Sequence, residues 1–367
     1  MSDNRPEMNA NETAEEHEEI AEDVMPLRNI GAGDGNYLGE DLYLGEPQLR
    51  RNRLVGGRVV FYQNRDAEED HLQKIQTIYV HVACICAGVA WTTLMHPLQH
   101  AGVLMQLGFE PFPGEIVQMG LLGPRNLLPG AQHLIEYIHQ SDGFFALYRG
   151  LTANIAINVT SYVMDTTMSM LGLETHNFGP TTGTSVQDMS RYMLVRGCRL
   201  TLKLMLTQPL TVVFTRQIAQ FIGCESVYQT LGQTIIKIFK EEGIAAFYAG
   251  FVPRLLGKMG IMAITTVAST LFYHYCPNYY PIQALHELVV SISSSYVLHP
   301  LSVVGTCMDV QGSPLAAAMP SQMAHYEHWT KCFADIYANG GFYHRGGILF
   351  WRTMPVKKLD ASMVCQN

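Results

Sequence analysis

Charge is what this sequence has little of: Asp, Glu, Lys and Arg make up only 15% of its 367 residues. The deficit is not uniform. Residues 1–74 hold 17 acids against 8 bases, a net charge of −9, whereas residues 75–367 hold 15 acids against 16 bases, a net of +1. No segment is strongly basic and none interleaves aromatics with basic residues, which excludes nucleic acid as a partner. Cysteine occurs eight times but never at metal-ligand spacing. Cys84, Cys86, Cys198, Cys224, Cys276, Cys307, Cys332 and Cys365 are scattered, most of them in apolar runs. They are expected to be buried free thiols, with neither a disulfide framework nor a structural zinc. A phosphate-cradling loop is missing too: the Gly-rich "GAGDGNYLG" lacks the Lys and Ser/Thr that would close it, and no credible β–α unit follows. No nucleophile stands beside an assignable base, so covalent catalysis is not expected and no cofactor or metal is called for.

The acidic residues gather in an amino-terminal arm, residues 1–74, where "ETAEEHEEIAED" precedes the Gly-rich stretch. It has no basic start leading into an apolar core and is too acidic for an amphipathic targeting helix. Disorder is the expected state of such a composition. Beyond it the chain is long in apolar runs. From Ile75 to Phe109 there is no Asp, Glu, Lys or Arg, enough for a crossing of about 20 residues. Four further candidates follow: Leu151–Leu173, with Asp165 its one formal charge; Met193–Phe221; Phe251–Tyr275; and Ile282–Cys307. Five crossings with interrupted apolar faces predict helices packed around something other than lipid tails. A large soluble helical bundle is the alternative.

A repeat organises these spans. "LMHPLQHAGV" around Pro97, "MLTQPLTVVF" around Pro209 and "YVLHPLSVVG" around Pro300 share a setting. Each is followed by an aromatic–Gly element: "SDGFFALYRG" ending at Gly150, "EEGIAAFYAG" at Gly250, and "NGGFYHRG" at Gly346. The intervals from Pro to closing Gly are 53, 41 and 46 residues. Each copy therefore reads as a kinked crossing, a connecting helix and a return crossing, over about 75–175, 190–276 and 282–352. After the third copy, Gly346 to Trp351 opens like another apolar helix, but "RTMPVKKLD" does not continue it. The expected architecture is an all-α membrane protein: a carrier-like domain at 75–352, about five crossings with the sixth missing or truncated, and a short polar tail at 353–367.

This repeat resembles the mitochondrial solute carriers, in which three two-helix modules surround a central path. Members of that family typically place an acid two residues and a base five residues after each Pro. Here those positions hold Gln99 and Gly102, Thr211 and Phe214, and Ser302 and Gly305. Three absent gate pairs argue against ordinary alternating-access exchange. The stretch "HPLQHAGVLMQLGFEPFP" (96–113), "DGFFALYRGL" (142–151) and the early ending resemble a divergent branch, the mitochondrial carrier homologues of the outer membrane. That resemblance implies an outer-membrane insertase for α-helical clients, tail-anchored proteins included, with membrane lipids as further partners. It also implies lipid scrambling and recruitment of a truncated pro-apoptotic protein. A receptor or scaffold role and a divergent metabolite carrier are the alternatives.

Inserting a client means moving its polar flank where unpaired polar groups are costly, so a polar groove is required. Asn154, Asn158, Ser161 and Asp165 recur at helical spacing on one face, and Arg196, Arg199 and Lys203 on another. Lys258 is expected to contribute from the fourth span, and His286 and Glu287 to form a mouth in the fifth. Competing readings exist for the same residues: the asparagines as helix-pairing groups, the basic row as snorkelling or fixed ion pairs. His96 and His299 precede two of the repeated prolines and Gln208 precedes the third, which suits kink-region hydrogen bonding better than a metal site. Asp142 and Glu242 suit helix-end contacts rather than a hydrolytic dyad.

Overall fold

A computed structural model of the chain describes residues 54–55, 58–59, 63–112, 114–118, 120, 123–172, 186–276, 280–320, 322–339, 342, 345–346 and 352–355. Most of the acidic arm and residues 356–367 therefore lie outside the described residues. The chain divides into two units, residues 1–68 and 69–367. In the first, strands β1 (Leu54–Val55) and β2 (Arg58–Val59) pair as a short hairpin.

Helix dominates the rest. Helix α1 (Gln63–Leu107) begins ahead of the apolar run at Ile75 and continues through Pro97. After it come α2 (Ala131–Asp142), α3 (Leu151–Met170), α4 (Val186–Ala219, with Pro209 inside), α5 (Leu231–Glu241) and α6 (Phe251–Tyr275). The third copy supplies α7 (Tyr280–Val297), α8 (His299–Val310) and α9 (Trp329–Ala338). The order long helix, short helix, long helix is the expected module, and α2, α5 and α9 are the connecting helices.

The three prolines do not act alike. Pro97 and Pro209 sit within continuous helices, whereas Pro300 stands in the first turn of α8, where its missing N–H is no loss. The fifth expected crossing is accordingly broken at Leu298, and its two parts meet at 55°. Among the described residues two helical stretches are long and apolar enough to cross a membrane, Ile75–Leu107 and Ile244–Tyr275, or three if that bent pair counts as one. Helices α3 and α4 fill the second and third expected spans. Asp165 on one and Arg196, Arg199 and Lys203 on the other dilute their apolar character.

Closing glycines start the return helices. Gly150 and Gly250 cap α3 and α6 in the left-handed region, at φ +85° and +70°, which any other L-residue adopts only with strain. Space decides as well at Gly250, where an added Cβ would collide with the Gly305 carbonyl and Asp309. Gly346 is closed in by the His299 imidazole. The residue before each proline explains the shared setting. His96 Nε2 donates to the Arg149 carbonyl at 3.1 Å and Gln208 Nε2 to the Ala249 carbonyl at 2.8 Å, each one residue ahead of a closing glycine. His299 faces the equivalent Arg345–Gly346 backbone.

The dry core gathers at the proline-side ends of the long helices. Leu104 and Met105 of α1, Val213 and Ile218 of α4 and Val310 after the third proline are fully buried, with Ile138 of α2 and Ile238 of α5 packed beneath them. Each such side chain contributes roughly 1.5–3 kcal/mol. A second cluster joins α8 to α9 through Val303, Val304, Cys307, Cys332 and Ile336. The remaining thiols depart from expectation. Cys84, Cys86, Cys198 and Cys224 are exposed and Cys276 is half-buried, because the first three lie on outward faces of long helices. Apolar runs here face outward as often as inward. Cys365 falls outside the described residues.

One element was not expected. Strands β3 (Glu115–Gln118), β4 (Pro124–Leu128) and β5 (Arg352–Pro355) form an antiparallel sheet in that order. Residues 347–351, where a further helix would begin, lie outside the described residues, and the next segment is strand. Arg352, buried, makes a bidentate pair with Glu110 at 2.7 and 2.9 Å and donates twice to the Pro129 carbonyl. Arg345 donates to the Gln106 carbonyl at 3.2 Å. The third repeat is thereby fastened to the segment around and after the end of α1 in the first.

Candidate functional site

A cavity of about 740 Å³ opens among α3, α4, α6 and α7. Helix α6 lines it with Lys258, Ile261, Met262, Thr265, Thr266 and Ser269, one stripe at helical spacing. Across from it stand Arg196, Arg199 and Lys203 of α4, with Asp165 of α3 and Glu287 of α7. The structure therefore brings Asp165, Arg196, Arg199, Lys203, Lys258 and Glu287 of the sequence-derived set to one place. Four cations and two carboxylates leave a formal excess of two positive charges.

Most of these groups are held by partners. Lys203 Nζ meets Asp165 Oδ2 at 2.5 Å, and Arg199 Nη2 donates to the Asp165 carbonyl at 3.4 Å. Arg196 Nη1 donates to the Tyr192 hydroxyl at 2.8 Å and lies 3.4 Å from the Thr266 hydroxyl. Tyr273 donates its hydroxyl proton to Glu287 Oε1 at 3.0 Å.

The rest of the set goes elsewhere. Asn154 is buried between α3 and α1, where its Nδ2 donates to His96 Nδ1 at 3.1 Å and to Gln99 Oε1 at 2.5 Å. Since His96 Nε2 faces a carbonyl, these partners select the tautomer with the proton on Nε2. Asn158 Nδ2 donates to Thr92 Oγ1 at 2.8 Å. Both asparagines thus join α3 to α1. Ser161 is half-buried on α3, outside the cavity lining. His286 stacks on Phe272 at 4.1 Å between ring centres instead of lining the cavity. Asp142 pairs with Arg149 at 3.3 Å and Glu242 with Arg216, so the two acids belong to separate contacts.

A buried polar network reaches α6 at Arg254, one turn before Lys258, and the sequence alone did not assemble it. Asp309 is wholly buried on α8. Its carboxylate accepts from Arg254 Nη2 at 2.7 Å, Gln208 Nε2 at 3.2 Å and Thr215 Oγ1 at 3.2 Å. Arg254 Nη1 also donates to Gln208 Oε1 at 2.9 Å. Arg216, equally buried, donates through Nε to the Asp309 carbonyl at 3.0 Å and clasps Glu242 through both Nη atoms. The only sequence signal was that charge is rare here, which makes each buried charge in an apolar span a partner to be found. Together these contacts tie α4, α6 and α8 to one another.

Comparison with known proteins agrees with this architecture. The family model described as mitochondrial carrier protein matches residues 73–170 and 187–280. The chain is 28% identical over 292 residues to Mitochondrial carrier homolog 2 of Homo sapiens, covering 75% of this chain and 94% of that protein. It is 27% identical over 302 residues to Mitochondrial carrier homolog 1 of Mus musculus, covering 73% and 76%. A more distant match is Mitochondrial thiamine pyrophosphate carrier 1 of Pyricularia oryzae, 23% identical over 292 residues, 76% of this chain and 86% of that protein. With its apolar helices and three-copy repeat, the chain belongs to the mitochondrial carrier protein family, in its mitochondrial carrier homologue branch.

Proposed function

We propose that this protein inserts α-helical clients, tail-anchored proteins among them, into the outer mitochondrial membrane. The observation that carries this reading is the charged cavity set between helices whose outer faces are apolar. Trp91 and Leu94 of α1, Val267 and Leu271 of α6, and Leu288 and Ile292 of α7 are all exposed, as suits lipid contact. A client's polar flank gains hydrogen bonds in the cavity while its apolar stretch stays beside lipid, which lowers the desolvation barrier to crossing. The work is physical and needs no cofactor. Lipid scrambling along the same groove and recruitment of a truncated pro-apoptotic protein belong to the same proposal.

The test is reconstitution in sealed liposomes. Protease-protected insertion of a tail-anchored client is expected to rise with the wild-type protein and fall when Asp165, Arg196 and Lys203 are changed together to leucine, with the melting temperature held. Normal insertion by that folded variant removes the groove. A second reading, carriage of an anionic metabolite, is favoured by the positive excess in the cavity. Thiamine pyrophosphate uptake in the same liposomes separates the two, and redistribution of a fluorescent lipid reads scrambling.

A further inference from the structure

Among the cavity's four cations, Lys258 stands apart. Lys203, Arg199 and Arg196 are engaged with Asp165, its backbone and two hydroxyls. Lys258 has no hydrogen-bond or ion-pair partner among the described residues, and the charges acting on it are the like charges of Arg254 and Lys203. Each of those has its own carboxylate, Asp309 and Asp165. Glu287, the remaining carboxylate of the lining, is engaged by Tyr273. An ammonium group in a polar cavity, with like charges nearby and no carboxylate at ion-pair distance among the described residues, is suited to an anion from outside.

We infer that Lys258 receives the carboxyl-terminal carboxylate of a helical client, an assignment that rests on the insertase reading. Three features favour a carboxylate over a phosphate. The Arg196 and Arg199 guanidiniums are already turned to the Tyr192 and Thr266 hydroxyls and the Asp165 carbonyl, and the cation that remains is a point donor rather than a fork. Ile261 and Met262 rise one turn above Lys258 on the same stripe and line the cavity, giving apolar contact to the residues that precede a client's terminus. A helix end also carries negative partial charge of its own, which adds to that of the carboxylate.

The experiment compares two peptides of about 20 residues, the length of one crossing. They are identical in sequence, one ending in a free carboxylate and the other in an amide, and each is titrated against the full-length protein in detergent by fluorescence anisotropy. The free acid is expected to bind the wild type about tenfold more tightly, a difference of about 1.4 kcal/mol. The preference should vanish in Lys258→Gln and persist in Lys258→Arg. Lys258→Gln removes a repelled charge, so its melting temperature should match or exceed the wild type. Equal affinities for acid and amide in the wild type overturn the assignment, as does a preference that survives in folded Lys258→Gln. Competition by dihexanoyl phosphatidic acid with no acid–amide preference transfers Lys258 to lipid phosphate and likewise overturns it. An acid preference without client insertion in liposomes supports the carboxylate site and defeats the insertase reading alone.

Discussion

Replacing Asp309 with alanine removes the acceptor through which α8 holds both α4 and α6. The carboxylate takes hydrogen bonds from Arg254, Gln208 and Thr215, and it has no solvent exposure. Its loss leaves the Arg254 guanidinium, itself only 14% exposed, without a counter-charge in a confined space. Breaking a buried pair from one side costs about 3–5 kcal/mol, chiefly because the surviving charge is stranded. That is a large share of a typical total stability of about 5–15 kcal/mol. Asp309→Asn keeps the shape and one acceptor but loses the charge-assisted character, which places it between wild type and alanine, about 1.5–3 kcal/mol down. The double change Arg254→Met with Asp309→Leu removes both charges together and should cost well under the sum of the single changes. Unfolding followed by tryptophan fluorescence or calorimetry in detergent gives the order. An Asp309→Ala protein within about 1 kcal/mol of wild type, or strictly additive single and double changes, refutes the argument that this pair holds the helices together.

Other consequences are as direct. Gly250→Ala should destabilise more than Gly150→Ala, because both strain a left-handed backbone but only the first drives its Cβ into the Gly305 carbonyl and Asp309, and melting temperatures in one detergent give the comparison. Asn154→Leu, which strips His96 and Gln99 of a buried donor, should cost about 1–3 kcal/mol and loosen α1 from α3, read by hydrogen exchange around Thr92–Gln99. Glu110→Gln should release the carboxy-terminal strand, seen as faster proteolysis near Arg352, with Arg352→Ala stronger because the Pro129 carbonyl loses its donors as well. Burial and a 2.6 Å hydrogen bond to Asp335 hold the Tyr326 proton above an ordinary tyrosine's 10.0. The stability it contributes is intact below that pH and lost as pH rises through the folded value, so Tyr326→Phe should flatten the alkaline limb of the stability profile.

Local signals carried much of this fold and little of its wiring. Pro300 and the closing glycines Gly150 and Gly250 mark helix starts by backbone chemistry, which short stretches of sequence display. Helical spacing likewise put Arg196, Arg199 and Lys203 on one face. It could not say that α1 would claim Asn154 and Asn158 while α4 claimed Asp165, since one polar stripe of α3 faces two neighbours. Asp309 finds Arg254 at 55 residues' remove and Gln208 at 101, distances at which pattern has no purchase. Strand β5 was invisible for a related reason. "RTMP" has no alternation and ends in proline, and it is a strand only because β4 offers it an edge.

That strand bears on how the molecule assembles. The pair between Arg352 and Glu110 closes a loop of 242 residues, against the few tens spanned by each repeat's own turn. Loop-closure entropy rises slowly with length, yet contacts of such separation form late, after local helices and their neighbours have condensed. The local helices of each repeat can thus form first, while the sheet must wait for β5 to find β4. An intermediate with its helices formed would still offer the β3–β4 hairpin as an unpaired strand edge, a surface that folding factors can recognise and that pairing with β5 withdraws.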